Sequence, residues 1–210
     1  MIRILIADDH TVVRKGLKQI LLEGFPTAEI EEAVDADELF KKVLKGEWDV
    51  IISDLSMPGR SGMESLQQIK QLYPKLPVLI LSVHSEDHYA LRVLKAGAAG
   101  YLTKDSAPDE LVKAVRRVLT GKKFITAAVA EKLASSIDQD SEKMSHEHLS
   151  DREFEVLKLL ATGKSVSDIA GQLSLSVTTV STYRARILAK MNMKTNADLI
   201  LYAVENKLID

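Results

Sequence analysis

Asp8, Asp9 and Asp54 each stand at the end of a short apolar run, and Lys104 follows another. Ile2-Arg3-Ile4-Leu5-Ile6-Ala7 leads into Asp8-Asp9, and Asp49-Val50-Ile51-Ile52-Ser53 leads into Asp54. If the fold gathers these ends, three carboxylates repel one another unless a cation sits among them, and all-oxygen donors suit a hard ion such as Mg²⁺. A lysine facing them is no metal ligand, but it holds a phosphoryl oxygen as a point charge. The implied chemistry is metal binding and phosphorylation of an aspartate.

The elements that must do the gathering are legible as alternation. Strand-like runs fall near 2–7, 29–33, 49–53, 77–81 and 99–102, with helical patterns near 11–23, 36–45, 62–72, 86–95 and 107–120. Apolar runs this short, separated by helix-length segments, predict buried parallel strands covered by helices on both faces. In such an open α/β sheet, ligands bind at the carboxyl ends of the strands. Pro58-Gly59, Gly97 and Gly100 supply turns. This (βα)₅ pattern, a flavodoxin-like five-stranded parallel sheet, spans 1–121. From 122 to 148 the pattern weakens: Phe124 to Ile137 can hold a helix, while Asp138 to Lys143 is polar and predicts a linker. Residues 149–210 predict a small all-α domain of four short helices. Their starts are marked by Ser150 with Glu153, Ser165 with Asp168, Ser176, and Thr195 with Asp198.

Bulk properties narrow the class. A chain of 210 residues, 46% hydrophobic and 28% charged, accommodates two globular domains. It has no cysteine, no basic-then-apolar leader, and no apolar stretch approaching the ~20 residues of a membrane span. A cytoplasmic location with no membrane partner is expected. The net charge is −2, yet residues 150–210 hold eight basic and seven acidic side chains. No acid occurs between Ile169 and Ala197, where Arg184, Arg186, Lys190 and Lys194 form a local positive stripe.

With Asp8-Asp9, Asp54-Leu55-Ser56-Met57-Pro58-Gly59, Leu81-Ser82 and Tyr101-Leu102-Thr103-Lys104 in register, residues 1–121 resemble a two-component receiver domain. The resemblance implies that Asp54 is the phosphoacceptor. It implies that Asp9, Asp54 and the backbone carbonyl of Ser56 hold Mg²⁺, with Asp8 in support through water. Lys104 would bind the phosphoryl group and Ser82 would hydrogen-bond it. A phosphoryl group that draws the Ser82 hydroxyl inward vacates space into which Tyr101 can rotate, a population shift between two packings. His84, two residues after Ser82, is expected to shape access to the cleft.

Residues 149–208 resemble a LuxR-type helix-turn-helix domain, as in response regulators of the NarL/FixJ class. The matching positions are Leu149-Ser150-Asp151-Arg152-Glu153, Val156-Leu157, Gly163-Lys164-Ser165, Asp168-Ile169-Ala170, Leu173, Leu175-Ser176, Thr179-Val180 and Tyr183-Arg184. A helix near 166–173 would support another near 177–191 that enters the major groove. Val177, Val180, Ile187 and Met191 form a stripe expected to face the core. Ser181, Thr182 and Ala185 then face bases, while Thr178, Tyr183, Arg186 and Lys190 are placed for phosphates. Arg184 has two open roles, pairing with Glu153 or Glu155, or touching DNA. Ser181 stands where the family often has lysine, and Tyr183 where it often has histidine. Small outward side chains favour contact with thymine methyls and DNA shape over long-range hydrogen bonding.

The resemblance implies a response regulator: a histidine kinase as phosphodonor, double-stranded DNA as partner, and a homodimer when phosphorylated or DNA-bound. The chain is not expected to be an enzyme beyond its own phosphorylation and dephosphorylation. Two alternatives keep the DNA-binding fold or lose it: a phosphorylation-independent regulator with the receiver as dimerisation scaffold, or an interaction module without DNA binding. An aspartyl-phosphate hydrolase of the haloacid-dehalogenase type would need a second Asp two residues after the nucleophile. Ser56 stands there and cannot transfer protons at neutral pH.

Overall fold

The computed structural model describes residues 1–57, 62–83, 86–127, 129–131, 146 and 149–209, with backbone only at 86–88 and 151. His84, the Pro58-Gly59 turn and the polar run 138–143 lie outside the described residues. The chain divides into two compact units, Met1–Ser135 and Ser136–Asp210.

The first unit alternates as expected: β1 (Arg3–Ala7), α1 (Thr11–Gly24), β2 (Glu29–Ala33), α2 (Ala36–Lys45), β3 (Val50–Asp54), α3 (Gly62–Leu72), β4 (Val78–Ser82), α4 (Glu86–Lys95), β5 (Gly100–Thr103) and α5 (Ala107–Leu119). The strands form one parallel sheet in the order β2-β1-β3-β4-β5. β3 and β4 are buried along their whole length, which explains their unbroken apolar character. Ile4, Ile6, Val50, Ile52, Leu79 and Leu81 meet Leu17 and Leu21 of α1 and Leu111, Val115 and Val118 of α5 in one core. β1 and β3 are neighbours although β2 lies between them in sequence. Chain order therefore reverses at this pair, and that is where an open sheet leaves its crevice.

The unit does not stop at residue 121. Phe124 forms a parallel bridge to Gly100, its N–H donates to the Ala99 carbonyl at 2.8 Å, and Val129 is buried. A Cβ on Gly100 would lie 2.6 Å from the Phe124 carbonyl oxygen, so only glycine admits this return of the chain. Residues 127 and 129–131 are helical, in the stretch where the sequence allowed a helix.

The second unit contains α6 (Asp151–Ala161), α7 (Val166–Gln172), α8 (Val177–Lys190) and α9 (Asn196–Glu205). All four begin at the expected serine or threonine, whose side chain accepts from a backbone N–H one turn in. Glu153, Asp168 and Asp198 complete reciprocal capping boxes. α6 packs against both α8 and α9, and α7 against α8. Among the described residues, no helix is long and apolar enough to cross a membrane.

Candidate functional site

Strand register assembles the cleft. Ala7 pairs with Ser53, so Asp8 and Asp54, one residue further on, end side by side. Asp54 pairs with Leu81 and Ser82 with Thr103, which brings Lys104 to the same rim. The Lys104 N–H also donates to the Ser82 carbonyl at 2.7 Å. A side chain at Gly62 would sit 2.5 Å from the Asp54 carbonyl oxygen and 2.7 Å from Leu55 Cα. Glycine there lets the start of α3 lie directly on the backbone of the acceptor strand, where its N–H donates to the Leu55 carbonyl at 3.0 Å.

Lys104 bridges two carboxylates. Its Nζ lies 2.7 Å from Asp54 Oδ2 and 2.7 Å from Asp8 Oδ2, and those acids are only 3% and 1% exposed. Burial pushes the Asp54 carboxyl above the ordinary carboxylate range, with the hydrogen bond and charge of Lys104 pulling the other way. Burial also works against the Lys104 charge, but Asp54 and Asp8 together outweigh it and raise the ammonium above its usual value. Asp54 Oδ1 accepts the Ser56 N–H at 3.1 Å. Ser82 and Tyr101 are both buried.

Two members of the site were not read from the sequence. His10 places Nδ1 2.8 Å from Asp9 Oδ1 and 3.3 Å from Asp8 Oδ1. Arg14, buried one turn later in α1, donates from Nη1 to the Asp8 carbonyl at 2.7 Å and from Nε to Glu32 Oε2 at 3.2 Å. It ties the β1 end to β2. The i, i+4 spacing of His10 and Arg14 behind the acid pair was the available signal.

The carboxylates of the cleft, without the His10 nitrogen beside them, fit a hard divalent ion. One donor atom from each of Asp8, Asp9, His10 and Asp54 lies within 4.8 Å of the others. Asp8 Oδ2 is buried against the Lys104 ammonium at 2.7 Å, and Asp9 Oδ1 is buried beside the His10 ring at 2.8 Å without a hydrogen bond of good geometry. Carboxylate oxygens so left suit Mg²⁺, and Asp9 and Asp54 would be the ones to hold it.

On α8 the structure sorts the sequence stripes. Val180, Ile187 and Met191 are buried, but Val177, expected in the core, is 51% exposed because it opens the helix ahead of the packed turns. Thr178, Ser181, Thr182, Ala185 and Arg186 are exposed, and Tyr183 is half-buried. The Thr182 hydroxyl donates to the Thr178 carbonyl at 2.9 Å, so its hydrogen is already engaged. Arg184 pairs with neither glutamate; its Nε donates to Asn196 Oδ1 at 2.6 Å, linking α8 to α9. Glu155 is taken by Arg152, and Glu153 by Lys190. Lys190, assigned to phosphate, therefore spends its charge on a buried carboxylate 2.6 Å away while its side chain stays 43% exposed.

Burial pushes the Glu153 carboxyl up, but hydrogen bonds from Lys190 and Ser150 outweigh that and leave it below the usual range. A carboxyl lowered on folding lends stability that is complete above the unfolded value, about 4.3, and is lost as pH falls through the folded value. Glu153→Gln is expected to lower the stability of the second unit by about 1 kcal/mol at pH 7, the scale of a lost cap. The difference should shrink below about pH 4. Amide hydrogen exchange of α6 in the full chain reads this; a difference independent of pH would refute it.

Two family models match the chain: the response regulator receiver domain over residues 4–116, and bacterial regulatory proteins of the luxR family over 147–203. Response regulator UvrY of Escherichia coli (strain K12) is 34% identical over 209 residues, covering 99% of this chain and 96% of its own. Among solved structures, RcsB from Salmonella enterica serovar Typhimurium, bound to promoter rprA with the phosphomimetic BeF₃⁻, superposes with a TM-score of 0.63 at 28% identity. It covers 96% of this chain and 98% of its own. Another RcsB structure, two dimers bound to two parallel DNAs, gives a TM-score of 0.59 at 31% identity and covers 97% and 98%.

Proposed function

Because the chain belongs to the response regulators that join a receiver domain to a LuxR-type DNA-binding domain, we propose that phosphorylation of Asp54 switches its binding to double-stranded DNA and hence transcription. The observation that supports this most is the meeting of Asp8, Asp9, Asp54 and Lys104, from three strand ends, in one buried cleft. A scaffold has no use for carboxylates held this close.

The phosphodonor is a histidine kinase or a small phosphorylated molecule. Asp54 Oδ attacks phosphorus as the donor's bond to phosphorus breaks, and positioning with charge neutralisation is most of what that step requires. Mg²⁺, held by Asp9 and Asp54, would supply part of the neutralisation when bound. Lys104 supplies the rest by moving its contact from the Asp54 carboxylate to the phosphoryl oxygens, and Ser82 hydrogen-bonds the same group. Ser56 would offer its carbonyl to the ion, and Asp8 would support it through water. As Ser82 is drawn inward, Tyr101 rotates into the space it vacates, a redistribution between two packings set by contacts to phosphate.

In the second unit, Ser181, Thr182 and Ala185 face bases and carry no long donor, so recognition rests on thymine methyls and groove shape. Thr178, Tyr183 and Arg186 set register on phosphates. Lys190 contributes less than its charge suggests, since Glu153 holds it. The protein acts in the cytoplasm as a homodimer when phosphorylated or DNA-bound, so its site should contain paired half-sites.

The test pairs DNA-fragment selection with solution mass, with and without beryllofluoride and Mg²⁺. Both affinity and dimer fraction are expected to rise with the mimic. Equal binding either way would leave the receiver as a dimerisation scaffold, the second reading.

A further inference from the structure

His10 is a member of the cleft to which the proposed phosphorylation chemistry gives no role. It opens α1 in extended backbone, and its ring makes no capping hydrogen bond to the helix. Its backbone N–H donates instead to Asp8 Oδ1 at 2.7 Å. That tight turn lays the ring against both acids, with Nδ1 2.8 Å from Asp9 Oδ1 and 3.3 Å from Asp8 Oδ1. Adjacent ligands on an octahedral ion with bonds of about 2.1 Å stand about 3 Å apart. Each of the two nitrogen–oxygen separations is therefore close to the length of a ligand edge. The His10 side chain is 63% exposed, so polar contacts to the two acids, among them the hydrogen bond with Asp8 Oδ1, hold the ring where packing does not. Asp9 Oδ1, the oxygen nearest the ring, is buried and receives no hydrogen bond of good geometry.

We propose that His10 is a metal ligand of this cleft, selective for divalent first-row ions that favour nitrogen, such as Co²⁺, Ni²⁺ and Zn²⁺. The inference rests on the reading of the same acids as a Mg²⁺ site. Mg²⁺ keeps to oxygen donors and retains water, and gains nothing from an imidazole. Ions further along the first row bind imidazole well, and one neutral nitrogen added to two carboxylates shifts selectivity toward them. The cleft thus accepts two kinds of ion: an oxygen-bound one that leaves His10 free, and a mixed nitrogen–oxygen one that draws the ring across Asp9. The second kind competes for the position from which phosphorylation is served.

The experiment titrates the full chain calorimetrically with MgCl₂ and, separately, with CoCl₂, and follows visible Co²⁺ absorption. Wild type is compared with His10→Ala and His10→Gln. Neither change removes a helix cap, and the backbone bond to Asp8 remains. His10→Ala is expected to weaken Co²⁺ about tenfold or more, to alter the Co²⁺ spectrum, and to change Mg²⁺ affinity less than twofold. His10→Gln should not rescue. Equal Co²⁺ affinity and spectrum in wild type and His10→Ala would overturn the proposal. So would a parallel change for both ions, which would make His10 a mere counter-charge. Failure of wild type to bind Mg²⁺, with His10-dependent Co²⁺ binding intact, would instead sink the Mg²⁺ reading alone.

Discussion

Asp54→Asn is expected to reduce phosphoryl incorporation by about 10³-fold or more, the scale on which loss of a nucleophile acts. The amide keeps the shape of the side chain, and Lys104 keeps Asp8 as a partner 2.7 Å away, so the cleft loses its acceptor without losing its frame. The variant should also show no gain in DNA affinity or dimer fraction with a small-molecule phosphodonor. Radiolabel incorporation into the full chain, with mass mapping of the acceptor, decides it. Label at the wild-type level, or label on Asp9, would mean that a different carboxylate carries the group.

The second large effect concerns Lys104. Replacing it with methionine conserves volume but leaves Asp8 and Asp54, both almost fully buried, facing each other without a counter-ion. Removing one partner of a buried pair destabilises by about 3 to 5 kcal/mol, and the loss should appear in Mg²⁺-free buffer. Added Mg²⁺ should recover much of it, because a divalent ion neutralises the same two acids. Phosphorylation should not recover, since the donor to the transferred group is gone; a loss of about 10²- to 10³-fold fits such a contact. The pH dependence follows in sign. An ammonium whose value is raised on folding lends stability that is complete below its unfolded value, about 10.4, and fades as pH rises through the folded one. Lys104→Met should therefore narrow its gap to wild type at strongly alkaline pH. Thermal unfolding with and without Mg²⁺ tests the first point. A variant as stable as wild type without Mg²⁺ would show that the pair is not what holds the cleft.

These expectations depend on side-chain positions, and the sequence announced them unevenly. Strand and helix placement in the first unit was legible to within a residue or two, because buried parallel strands and amphipathic helices write strong periodic patterns. The helix starts in the second unit were legible for a different reason: each cap needs a short hydroxyl followed three residues later by a partner, as at Ser165 and Asp168. The cleft acids were legible from their place at strand ends. What escaped was whatever depends on a long side chain choosing among neighbours. Lys190 had free charge on a helical wheel, yet Glu153, fixed by the cap of α6, claimed it across 37 residues of sequence. Arg184 went to Asn196, a neutral residue that charge matching would never nominate. Val177 fell on the apolar stripe but stands before the first packed turn, where periodicity cannot see the helix end. The pairing of Phe124 with Gly100 is a single isolated bridge, too short for any pattern to announce.

That short return guards the sheet. A five-stranded open sheet has two rims, and a rim with unpaired backbone groups invites strands from other chains. On one side, β2 carries Glu29, Glu31 and Glu32, and Arg3 draws in close to Glu29 at 3.1 Å, so an approaching strand meets charge. On the other side, β5 is short and uncharged from Gly100 to Leu102, and there Phe124 takes up the pairing itself. The chain after α5 thus covers the start of an edge that would otherwise be open to other strands, and the glycine at 100 is what makes room for it.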